Sequence, residues 1–205
     1  MQKWNTIPTQ DIIEKTIQAL QVNGIQAMVV ENGKEAKEKV LEILPQGAEV
    51  MNMASVTIDT IGLSETIMES GKYTSVKKEL MGMDRTTQAP QMQKLGAAPE
   101  YSVGSVHAVT EDGHVFVASN TGSQLPAYAY GAQHVIWVVG AQKIVTNNDD
   151  ALKRIYDYVL PLESERLNKA YNMTGGSFVS KILIFNREIV KDRITLILVK
   201  ESLGF

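Results

Sequence analysis

The 205-residue chain is 44% hydrophobic and 21% charged with a net charge of −3, an ordinary balance for a globular fold. Lys and Arg are outnumbered and unclustered, which argues against a nucleic-acid footprint, and no apolar run approaches the ~20 residues of a bilayer span. Cysteine is absent, which excludes disulfides, thiolate zinc sites, cysteine nucleophiles and iron–sulfur clusters held by this chain. The length suits one domain over residues 1–205. The opening MQKWNTIPTQDIIEK lacks the apolar core of a signal peptide, so a cytoplasmic location is expected.

Ile12, Ile13, Ile17 and Leu20 recur at helical spacing, with Thr9 placed to cap the helix and Asn23-Gly24 to end it. Residues 25–30 read as a short strand, 34–44 as an amphipathic helix stopped by Pro45 and Gly47, and 48–53 as a buried strand. The alternation of helix and strand predicts a parallel sheet covered by helices. Ser55 or Thr57 is a natural N-cap for a short helix carrying Ile58 and Ile61. Six of the nine methionines fall between Met51 and Met92, in a weakly helical region. They suit adaptable core filling, or a movable cover over a site or partner surface.

Further on, 103–109 and 114–119 read as strands of a hairpin turned by Thr-Glu-Asp-Gly, and 135–139 as a strand inside a sheet. A helix is expected over 148–160, interrupted by Pro161 and resumed over 163–171, with Thr174-Gly175-Gly176-Ser177 as a flexible joint. Strands over 181–185 and 194–200 finish the chain, joined through Asn186-Arg187-Glu188.

Faint chemistry concentrates in two polar turns. In Asn120-Thr121-Gly122-Ser123-Gln124, a Gly between small hydroxyl residues lets backbone N–H groups converge, and a following helix would add its positive end. That pattern suits an anion, but serves equally as a strand-to-helix turn needing Gly for geometry alone. Gly140-Ala141-Gln142-Lys143 follows the next strand; if the two strands are parallel neighbours, Lys143 offers a point charge to the same anion. Ser55 and Thr57 hold the matching place after an earlier strand. Glu65 and Glu111 are weaker candidates for a catalytic carboxylate. His107, His114 and His134 show no metal-binding spacing and read as strand or turn residues, so no metal is expected. A P-loop ending, a Gly-x-Gly-x-x-Gly run and a Ser-His-Asp order are all missing.

The stretch GSVHAVTEDGHVFVASNTGSQLPAYAYGAQHVIWVVGAQKIV, followed by YDYVLPLESER and SKILIFNRE, resembles the LUD (lactate-utilisation) domain family. MNMASVTIDTIGL and ITLILVKESLGF extend the likeness over most of the chain. The resemblance implies a three-layer α/β/α sandwich like that of glucosamine-phosphate isomerases, ribose-phosphate isomerases and CoA transferases. In sugar-phosphate isomerases of that fold a Gly-Thr/Ser loop after a strand holds the substrate phosphate, which implies ligand binding by Thr121, Gly122 and Ser123. It carries over no catalytic residue. Family members include the small, cluster-free chain of a system oxidising L-lactate to pyruvate, whose partner chains bear iron–sulfur clusters. The resemblance therefore implies an accessory or ligand-binding subunit beside such partners. The alternatives are a stand-alone enzyme, or a sensor, acting on a phosphorylated or CoA-linked small metabolite. Self-association is a fold-level expectation only.

Overall fold

The computed structural model describes residues 2–171 and 174–205. In chain order the elements are α1 (Gln10–Val22), β1 (Gln26–Val30), α2 (Gly33–Ile43), β2 (Glu49–Asn52), α3 (Val56–Thr60), α4 (Leu63–Glu69), β3 (Thr74–Ser75), α5 (Val76–Met81) and α6 (Ala89–Ala97). They continue with β4 (Tyr101–Gly104), β5 (Ala108–Thr110), β6 (Val115–Ser119), β7 (His134–Gly140), β8 (Ile144–Val145), α7 (Asn148–Arg154), α8 (Leu160–Tyr171), β9 (Lys181–Phe185) and β10 (Ile194–Val199).

Six strands form a wholly parallel sheet in the order β1-β10-β7-β4-β2-β3. Its longest pairing is β10 against β7, in register from Ile194 opposite Val135 to Val199 opposite Gly140. Every residue of β10 is buried, as a continuous apolar run covered on both faces demands. Alternation then divides the sheet. Trp137, Val139, Leu196 and Leu198 face Ile13 and Leu20 of α1, whereas Ile136, Val138, Ile197 and Val199 face Ala36, Val40, Ile58, Leu63 and Ile67 of α2, α3 and α4. The expected α/β/α layering is present.

A second sheet, in the order β8-β5-β6-β9, is set into the layer that holds α1. Val115 and Val117 of β6 pack toward Trp137 and α1, and Phe116 and Ala118 turn toward Ala151 and Ile155. Residues 103–109 are therefore not one strand. Residues 101–104 belong to the parallel sheet and 108–110 to the second, and the chain passes between them at 105–107. The turn Thr-Glu-Asp-Gly does join antiparallel β5 and β6, with Gly113 at φ +83°. An added Cβ there would lie 2.7 Å from the backbone of Ala19. The strands 181–185 and 194–199 also separate, β9 pairing with β6 and β10 with β1 and β7.

Caps and breaks carry their own corrections. Asn32 caps α2, accepting from the Glu35 amide at 3.0 Å, while the Glu35 carboxylate takes the Glu31 amide at 3.0 Å. Ser55 stands at the N-cap of α3 without a side-chain cap bond, and Thr57 spends its hydroxyl elsewhere. Pro161 does not break its helix. It falls in the first turn of α8, directly after a π-turn at Ile155–Val159 whose wider hydrogen-bond step tolerates a missing donor. Of the six clustered methionines only Met53 is buried, and Met81 is 71% exposed, so they are not a core filling as a group.

Candidate functional site

All six strands of the main sheet end on one edge, where an open α/β sheet presents its crevice. A cleft of about 570 Å³ lies there. The turn after β2 brings Ser55 and Thr57 to it, the turn after β4 brings Ser105 and His107, and the turn after β7 brings Lys143. The turn after β6 adds Asn120, Thr121, Ser123 and Gln124, and α8 closes one side with Leu160, Glu163, Arg166 and Leu167. Seven of the eight residues singled out from sequence thus line one cleft, and Gly122 is not among its lining. Their convergence has a different cause from the one expected. β6 and β7 are not neighbours but lie in separate sheets, and the cleft forms where the two sheets meet.

The loop at 120–124 is internally bonded. The Gly122 amide donates to Ser119 Oγ at 2.8 Å, and the Ser123 amide to Thr121 Oγ1 at 3.3 Å. Gln124 donates to the Ala118 carbonyl and accepts from Ser119 Oγ. Gly122 sits at φ +88°, and a Cβ there would fall 2.8 Å from the Lys181 side chain. A helical turn follows at Ala127–Gly131, π-type, and Arg193 holds its carbonyl end through Ala127, Tyr128 and Ala132.

Lys143 is 2% exposed, at the end of a short 3₁₀ turn after β7. Its Nζ lies 3.0 Å from Thr57 Oγ1, 3.1 Å from Ser105 Oγ and 3.1 Å from the Val106 carbonyl. Burial first, and the Arg154 guanidinium second, hold its pKa well below the usual lysine value. Arg154 is itself fully buried, donating to the carbonyls of His107 at 2.5 Å and Trp4 at 3.4 Å, and resting 5.2 Å over the Tyr158 ring. Burial lowers its pKa to about 10. Neither cation meets a carboxylate among the described residues.

His107 is half-buried and lines the cleft. Its Nδ1 accepts the Ala118 amide at 3.0 Å, which places the ring proton on Nε2. Burial, and then the charges of Lys143 and Arg154, drive its pKa down to about 3, so the ring is neutral at physiological pH. Across the cleft Glu163 takes both Nε and Nη2 of Arg166 at 2.7 Å, a bidentate pair one helical turn apart.

Sequence reading missed Ser105, His107, Glu163 and Arg166 as site residues. Only Glu163-x-x-Arg166 carried a local signal, the spacing of a helical ion pair. Of the two glutamates it raised, Glu111 pairs with Lys15 at 2.8 Å on the hairpin, and Glu65 is exposed in the first turn of α4; neither lines the cleft. His114 meets Asn148 Oδ1 at 3.0 Å and His134 stacks on Tyr101, both away from it.

The fold and this cleft define an α/β protein whose polar site opens at the carboxyl edge of a parallel sheet. The model of the LUD domain matches residues 13–199, and the chain belongs to that family. Among solved structures it is similar to a DUF162 family protein from Deinococcus radiodurans, with 10% identity, 94% of this chain and 99% of that one covered, and a TM-score of 0.58. It also aligns with ribose 5-phosphate isomerase from Plasmodium falciparum at 11% identity, covering 84% of this chain and 95% of that one, with a TM-score of 0.40. Ribose 5-phosphate isomerase A from Neisseria gonorrhoeae gives 13% identity, 84% and 94% coverage, and a TM-score of 0.40. No curated protein matches the chain. Among the described residues no helix is long and apolar enough to cross a membrane.

Proposed function

We propose that the cleft binds a small organic carboxylate, and that the chain supports lactate utilisation as the cluster-free subunit beside iron–sulfur redox partners. One observation carries the binding assignment: Lys143 and Arg154 are buried close together with only neutral oxygens as hydrogen-bond partners. Buried basic groups without a counter-charge are costly, and an anion in the cleft, which Lys143 lines and Arg154 does not, supplies one beside Lys143. A carboxylate is favoured over a phosphate because the Gly122 and Ser123 amides are already engaged within their loop. Hydroxyls of Ser55, Thr121 and Ser123 suit the polar end of a hydroxy or keto acid.

The lactate assignment rests on family membership. A chain without cysteine holds no cluster through thiolates, so in this reading the electrons leave through partner chains. The test is a thermal-shift panel of L-lactate, pyruvate, phosphate, sugar phosphates and CoA esters on wild type and Ser123→Asp. A ligand at ~100 times its Kd adds ~2.7 kcal/mol to stability. Stabilisation by lactate or pyruvate that disappears in Ser123→Asp is the expected outcome. Stabilisation by phosphate or CoA esters alone would refute the carboxylate assignment. Lactate oxidation by the purified chain without redox partners would refute the accessory role.

A further inference from the structure

The three acceptors around Lys143 have unequal freedom. The Val106 carbonyl can only accept. Thr57 directs its hydroxyl proton to the Leu203 carbonyl at 3.2 Å, so it too accepts from Nζ. Among the described residues Ser105 has no other acceptor for its proton than the Val106 carbonyl, at a long 3.5 Å. As an ammonium, Lys143 donates to all three, Ser105 Oγ included at 3.1 Å; as a neutral amine it would keep N–H to Val106 and Thr57 and turn its lone pair to the Ser105 O–H. Solvent does not compete, because Lys143 is 2% exposed, whereas Ser105 is half-buried and faces the cleft.

We propose that Ser105 is a catalytic nucleophile and Lys143 its general base for acyl transfer, hydrolysing a small ester or thioester held in the cleft. The lysine's lowered pKa is the state such a base needs. Ser105 Oγ bonds to the acyl carbon as its proton passes to Nζ. The carbonyl oxygen gains the negative charge and is met by the Nε2–H of His107, two residues along the same crossover. Collapse breaks the bond to the alkoxide or thiolate leaving group, which takes the proton from Lys143. Water then attacks the acyl-serine and gives Lys143 a proton. The proton returns to Ser105 Oγ, and a carboxylic acid leaves. Ser–Lys pairs are an established variant of the serine triad on unrelated folds. The structural logic is a two-residue offset: Gly104 ends β4 against the Tyr128 hydroxyl, where a Cβ would lie 2.0 Å away, Ser105 follows in the crossover, and His107 is fixed by its amide bond to the Phe116 carbonyl at 2.9 Å.

The proposal needs the cleft but not the lactate reading, and its test leaves that reading untouched. The full chain is treated with an alkyl fluorophosphonate, and adducts are located by intact-mass and peptide mass spectrometry. The expected result is one adduct, on Ser105, absent in Ser105→Ala and formed about 100-fold or more slowly in Lys143→Met. In wild type, with no substitution that could disturb folding, the labelling rate falls on acidification as Lys143 takes up a proton. No adduct on Ser105, undiminished labelling in Lys143→Met, or a rate that stays constant down to the pH of unfolding would each overturn the dyad.

Discussion

Lys143→Met gives the sharpest physical test of the cleft, because it asks whether the buried amine is charged. The folded-state pKa lies well below 10.5 while the unfolded chain keeps its ordinary value, so between the two the unfolded state binds one proton more. Wild-type stability from this group is therefore complete above pH 10.5 and is lost as pH falls toward the folded-state pKa. The slope for one such group is ~1.4 kcal/mol per pH unit. Methionine fills a similar volume and removes the titration. It also leaves the Val106 carbonyl without this donor, at ~1–3 kcal/mol, but that cost does not vary with pH. Urea unfolding of both proteins at about pH 8.5 and 9.5 should show the wild type gaining ~1.4 kcal/mol on the variant over that unit, other groups cancelling. Parallel pH dependences would refute the reasoning: Lys143 would then be charged when folded, and no lone pair would be there for Ser105.

Two other substitutions test the site's frame. Gly104→Ala places a methyl 2.0 Å from Tyr128 Oη and 3.1 Å from Met53 Cβ, both on the cleft wall, and should cost ~1–3 kcal/mol of overpacking, read as a fall of several degrees in Tm. The same variant should lose the carboxylate shift, since Ser105 moves with Gly104; an unchanged Tm would show that β4 does not end as described. Glu111→Gln breaks the pair with Lys15, whose side chain is 63% exposed, and should leave both the Tm and the ligand shifts nearly unchanged. A loss of ligand response there would restore Glu111 as a site residue.

How much of this was readable in the chain depends on how local its cause was. β7 and β10 stand out as apolar runs because both faces of a central strand are buried, and the hairpin turn because Gly113 needs a positive φ. The parallel sheet followed from helix–strand alternation. The second sheet did not, because VGSVHAV has the apolar spacing of one strand. Its division at Gly104 is imposed by Tyr128, which reaches the same point from a distant turn. Ser105 and His107 were hidden for that reason. Lys143 was legible as a candidate that reaches the cleft but not as a buried residue. GAQK reads as a polar turn, and what covers it is remote: Thr57 from α3, and the terminal segment that Gln142 anchors through the carbonyls of Leu203 and Gly204. Arg154 carried no signal in the chain, and only the small sheet beneath it makes it interior.

Anion binding and the dyad place opposite demands on Lys143, and the cleft reconciles them through proton linkage. Without a carboxylate, the site favours the neutral amine because burial and Arg154 both disfavour charge. A carboxylate beside the amine adds the opposite charge that favours the ammonium. Binding therefore takes up a proton, and the affinity for lactate or pyruvate weakens as pH rises above the free-cleft pKa of Lys143. In that window each pH unit costs up to tenfold in Kd, or ~1.4 kcal/mol. Isothermal calorimetry in buffers of different ionisation enthalpy reads the uptake directly, up to one proton per carboxylate bound. Lys143→Met should abolish it. A carboxylate that binds with no proton uptake at any pH would mean that the counter-charge is Arg154 or Arg166 instead, and that Lys143 serves the serine alone.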